Sequence, residues 1–224
     1  MTEAYQLHWE EQHLNDMDAD TDIVLERRAD NADLPNWPEG TESPDVTGET
    51  VFGATFGQVS YTHYPVNDLR WPVMSRQMLD TLLSVGVFPH IAHPVAIVDA
   101  LHYRGEALPL GEGWYASRLP DADRSYVLVQ LTEHLDVLDE SRSAMSRGDT
   151  PEETVVYGYA LKPGSSLPPL FRTRVGSGQL LISAAGRHAL ASAGIAGPVY
   201  VDLGGRGEEE VDVPVPEVVL PAGI

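Results

Sequence analysis

Only two stretches of this 224-residue chain carry the apolar period of a helix, and that scarcity bounds what it can fold into. In residues 75–86, SRQMLDTLLSVG, Met78, Leu79, Leu82 and Leu83 fall at helical spacing behind Ser75, a good N-cap, and ahead of Gly86. Residues 183–193, SAAGRHALASA, read as a second helix capped by Ser183 and closed by Gly194, although Gly186 inside it costs about 1 kcal/mol against Ala. The other patterned segments are short β-rich runs. Tyr5, Leu7 and Trp9 alternate with polar residues; Pro94–Leu101, Ser125–Leu131, Thr154–Leu161, Gln179–Ile182 and Pro198–Leu203 are strand-like; Val51–Tyr64 suggests a hairpin or a strand pair around Gly57. Glu133–Ala144 reads as strand, turn and short helix. Helices and strands do not alternate as parallel crossover units would require, so the expected class is α+β, a mixed, largely antiparallel sheet with a few packed helices. No internal repeat is legible.

Charge divides the chain unevenly. Thirty-four acidic against 14 basic side chains give a formal net charge of −20, and residues 1–50 hold 14 of the acidic and 2 of the basic ones, net −12. The segment 10–50, polar and interrupted by Pro35, Pro38, Gly40, Pro44 and Gly48, is expected to be acidic, loop-rich and mostly irregular surface chain around the short apolar run Ile23–Leu25. Residues 1–224 are expected to form one domain, with 204–224, containing VDVPVPEVVL, as an extended C-terminal segment. Such a charge disfavours nucleic-acid binding, which depends on Lys and Arg displacing counterions, and favours a basic partner. No apolar run approaches the roughly 20 residues of a membrane helix, and the first twenty residues, with Glu3, Glu10, Glu11, Asp16, Asp18 and Asp20, have no export-signal character. A cytoplasmic location is expected. With no cysteine, thiolate catalysis, disulfides, Cys-based zinc sites and iron–sulfur clusters are ruled out.

The remaining chemistry would come from carboxylates and imidazoles. Asp16, Asp18, Asp20 and Asp22 alternate as the first ligands of a calcium loop do, but the sixth position is Thr21 instead of Gly and the twelfth is Arg27 instead of Glu. These four aspartates are read instead as a candidate surface for a basic partner. His90, His93, Asp99 and His102 are ligand types that zinc accepts, and a metal-dependent hydrolase using them is the competing reading; the histidines are three apart between prolines and lack the spacing of a zinc-protease helix. No cofactor fingerprint is present, and none is expected to be bound. The Gly204–Gly207 turn runs into Glu208, Glu209 and Glu210, which would repel a phosphate.

Five short motifs follow one another across residues 60–203: WPVMS at 71–75 leading into the first helix, LDES at 138–141, LPPLFR at 167–172, LLIS at 180–183, and AGIAGPVY at 193–200. In order and spacing they resemble a bacterial family of polymorphic-toxin immunity proteins, formerly classed as a domain of unknown function. The resemblance implies a protein that binds and blocks one cognate toxin without catalysis. It also implies family-motif roles for Trp71, Pro72, Ser75, Asp139, Ser141, Leu170, Phe171 and Arg172. Of these, Phe171 is expected as a core anchor, and Arg172 is expected to hold a carboxylate such as Asp139 in a bidentate pair. A regulatory protein that binds a partner other than a toxin fits the same residues.

Overall fold

The computed structural model describes residues 4–9, 26–27, 48–54, 62–67, 70–99, 119–147, 154–176 and 178–204. The acidic segment at 10–25 and 28–47, His102, and the tail after Gly204 lie outside them. The strands are β1 (Ala4–Trp9), β2 (Glu26–Arg27), β3 (Thr50–Ala54), β4 (Val73–Ser75), β5 (His90–Asp99), β6 (Tyr126–Leu131), β7 (Ala144–Ser146), β8 (Val155–Gly158), β9 (Leu170–Phe171), β10 (Leu181–Ser183) and β11 (Pro198–Asp202). The helices are α1 (Arg76–Val85) and α2 (Ala184–Ser192). The α+β class holds. A five-stranded sheet has the order β2-β3-β5-β6-β4, a four-stranded sheet the order β11-β1-β10-β9, and β7 and β8 form a pair. Every strand pairing is antiparallel except β3 with β5.

Burial explains the composition of these strands. In β5, Val95 and Ile97 join Phe52, Val73, Tyr126 and Leu128 on one side, while Ala96 and Val98 join Val51 on the other. A strand covered on both faces needs apolar residues at every position, which is why this stretch reads as a continuous run. The helices bury Met78, Leu79, Leu82 and Leu190 in the largest cluster, shared with Leu7, Val127, Val129 and Ile182 from both sheets. On the far face of the four-stranded sheet, Phe171 and Leu181 pack with Leu138, Tyr159 and Leu203.

Two local expectations change. Val51–Tyr64 is no hairpin among the described residues: β3 pairs with β2 and β5, and Thr62–Asn67 is irregular chain whose His63 N–H donates to the Ala196 carbonyl at 2.9 Å. Within the acidic region, expected to be mostly irregular, Glu26–Arg27 pairs with Phe52 and Gly53. Glu133–Ala144 contains no helix; single bridges at Leu135 and Leu138 lead into a turn before β7.

Both helix caps form as the sequence implies, with Ser75 Oγ accepting from Met78 N–H at 3.1 Å and Ser183 Oγ from Gly186 N–H at 3.2 Å. Gly194, at φ 67°, supplies the left-handed residue after α2. Gly86 has a different reason to be glycine. Its φ of 171° is open to any residue, but a Cβ there would lie 2.8 Å from Pro169 Cδ. Gly186 meets the same proline from the other side: a Cβ would stand 2.6 Å from the Pro169 carbonyl oxygen and 2.9 Å from Ile182 Cγ1. That carbonyl also accepts from Ser183 N–H at 3.0 Å.

Helix propensity alone makes Gly186→Ala stabilising by about 1 kcal/mol. The close approach reverses the sign, and urea unfolding should show a loss of about 1–3 kcal/mol. Phe171, 2% exposed, should cost about 3–5 kcal/mol when cut to Ala, read in the same titration.

Candidate functional site

The motif residues are assembled by the fold, but for support. Trp71 is fully buried, and its backbone is clasped by Asn67, whose Nδ2 donates to Trp71 O at 2.8 Å and whose Oδ1 accepts from Trp71 N–H at 3.1 Å. Pro72 follows, its carbonyl accepting from Val129 N–H at 3.0 Å, and Ser75 closes the motif as the α1 cap. Ser75 Oγ also meets His63 Nδ1 at 2.8 Å, which joins the irregular 62–67 segment to the helix start. Leu170 and Phe171 are buried on opposite faces of β9.

Asp139 and Arg172 do not pair. Asp139 accepts from Ser141 Oγ and Arg142 Nε, both at 2.6 Å, and its carbonyl accepts from Ser143 N–H at 3.0 Å. These bonds hold its carboxyl below the ordinary range and fix an exposed turn. A carboxylate two residues before a serine and three before an arginine is satisfied locally, which leaves nothing to reach into the core.

Arg172 is instead 3% exposed, with Tyr64, Tyr159 and His134 as electrostatic neighbours. Burial pulls its pKa down to about 10, against which the two phenols act. The Tyr159 hydroxyl is pushed up to about 12 by burial and donates to Gly176 O at 3.1 Å. The His134 imidazole is lowered by burial first and by Arg172 second. Sequence reasoning missed this group because Tyr64, His134 and Tyr159 come from three separate loops.

Of the candidate metal-site residues, the two described histidines do not converge. His90 and His93 are three apart on β5, and alternation places them on opposite faces. His90 Nδ1 meets Phe88 O at 2.9 Å, while His93 Nε2 meets Gln130 Oε1. The Asp99 side chain and His102 lie outside the described residues, and so do Asp16, Asp18, Asp20 and Asp22. Among the described residues no group of three His, Cys, Asp or Glu could hold a metal, and no helix is long and apolar enough to cross a membrane.

Among the described residues an apolar corner stands exposed. Val87 is 85% exposed, Ile91 47% and Val85 46%, at the end of α1, in the turn and at the start of β5. Val155 and Tyr157, at 51% and 62%, form a smaller exposed pair on β8. The sequence gives no sign of the corner, because Val87 lies beside Phe88, which is buried.

No protein-family model matches the chain, and no curated protein matches it significantly.

His63 and His134 both sit below the ordinary histidine value of 6.5, through burial. In the fold they stay neutral where the unfolded chain takes up protons, so stability is full above about pH 6.5 and falls as pH drops through that value toward the folded pKa. Thermal melts at about pH 7.5 and about pH 5.5 should show this loss, and the double variant His63→Gln, His134→Gln should shrink it. An unchanged loss in the double variant would assign the effect to other groups.

Proposed function

We propose that this protein binds and neutralises a basic protein toxin of the bacterial polymorphic-toxin class by direct contact, without catalysis. The single observation that carries a protein partner is the apolar corner at Val85, Val87 and Ile91, since a folded surface leaves such side chains clustered in water chiefly where another protein covers them. The motif order from Trp71 to Tyr200 supports the immunity assignment, and the net charge of −20, with −12 in the first fifty residues, supports a basic partner. In this reading the apolar corner governs residence and the acidic segment governs encounter. In the alternative hydrolase reading, His90 and His93 would have to act from opposite faces of β5.

The test is co-expression with the toxin domain encoded beside the gene, followed by binding kinetics at two ionic strengths. Val87→Glu with Ile91→Glu should keep the fold, as both sites face water, and speed dissociation at least about tenfold. Changing Asp16, Asp18, Asp20 and Asp22 together to Asn should slow association most at low salt, where screening is weakest. Absence of both protection and binding removes the immunity reading. Binding with salt-independent association keeps it and returns the four aspartates to a solubility role.

A further inference from the structure

The two sheets contain the same unit twice, although the sequence shows no repeat. In the first, α1 connects β4 to β5, and β6 lies antiparallel between those two strands. In the second, α2 connects β10 to β11, and β1 lies antiparallel between them. The correspondence extends to register. Val73, Met74 and Ser75 face Leu128, Val127 and Tyr126, while Leu181, Ile182 and Ser183 face Gln6, Tyr5 and Ala4. His90 to Pro94 face Leu131 to Val127 in order, and Pro198 to Asp202 face Trp9 to Tyr5 in order. Two constant offsets relate all of these positions. Counterparts in 73–94 and 181–202 stand 108 residues apart, and counterparts in the two central strands stand 122 apart, with no insertion in either.

Details outside the pairing ladders agree. Val129 N–H donates to Pro72 O at 3.0 Å, and the counterpart bond from Leu7 N–H to Leu180 O is 2.9 Å. Both helices begin on a serine that ends a three-residue strand, with φ, ψ of −65°, 151° at Ser75 and −72°, 161° at Ser183. Leu82 and Leu190 are counterparts, both fully buried in the cluster that joins the two units. Yet across the 22 aligned positions only the pairs Ser75/Ser183, Leu82/Leu190, Ser84/Ser192 and Gly86/Gly194 are identical. Four identities, spread among generic cap and core residues, are too few to show as a repeat in one sequence.

We infer that the protein is built from two copies of one β-α-β-β module, the second cut so that its final, central strand stands at the front of the chain as β1. The first module keeps its natural order, β4-α1-β5-β6. The second would have it as β10-α2-β11-β1. Tyr5 is in register with Asp202, so the two sides of the cut are neighbours.

Two circular permutants of the full chain test this, both joining Ile224 to Met1. Opening between Asn15 and Asp16 makes both modules continuous. Opening between Arg104 and Gly105 makes the second continuous and cuts the first, giving the natural topology with the modules exchanged. Both should show the natural circular dichroism and cooperative melting, within about 5 °C of the natural protein. The first should refold several-fold faster, because the pairings of β1 become local, and the second should refold within about threefold of the natural rate. Failure of the first to fold shows that β1 cannot serve as the last strand of its module and overturns the inference. So does failure of the second alone, which shows that the modules are not interchangeable. Equal refolding rates in all three chains overturn it as well.

Discussion

The approach of Pro169 to two glycines sets the spacing on which the rest of the molecule depends. Gly86 ends α1 and Gly186 lies in the first turn of α2, and neither has room for a Cβ against the proline between them. Because the Pro169 carbonyl also accepts from Ser183 N–H, the strand leading to α2, its cap and the end of α1 are fixed by one residue. With the helices held there, Leu82 and Leu190 reach a common cluster with Leu7 and Val129 of the two central strands. The LPPLFR motif therefore acts through its second proline as much as through its apolar pair.

The same motif carries Arg172 into the interior. A guanidinium 3% exposed is costly to bury, and the lowering of the Arg172 pKa to about 10 by burial expresses that cost. The price appears at His134, which is held neutral beside it. Buried polar groups of this sort favour one packing arrangement over others, because a shifted core would leave the charge among apolar atoms.

Much of the fold was legible and the site was not, for physical reasons. Alternation at Tyr5–Trp9, the caps at Ser75 and Ser183, and the apolar runs of β5 and β6 are local signals, and each gave the right element. Pairing partners are not local, so β3 was assigned to a hairpin with its sequence neighbour when its neighbour in space is β5. Gly186 read as a defect because propensity counts only the helix, and the contact with Pro169 is tertiary. The proposed link from Arg172 to Asp139 failed because Asp139 is satisfied within its own turn. The exposed corner at Val87 depends on what does not cover it, which no residue pattern records.

The position of β1 at the centre of its sheet has a consequence for synthesis on the ribosome. Its two neighbours, β10 and β11, are translated about 170 residues after it, which at about 5–20 residues per second is a wait of roughly 10–35 s. Throughout that interval the alternating apolar residues Tyr5, Leu7 and Trp9 are without the two strands that flank them in the fold. Glu3 on one side and Glu10 and Glu11 on the other, followed by the aspartates from Asp16 to Asp22, surround that strand with negative charge. Charges in such flanking places repel like segments from neighbouring chains, a general property of charge set beside an apolar strand.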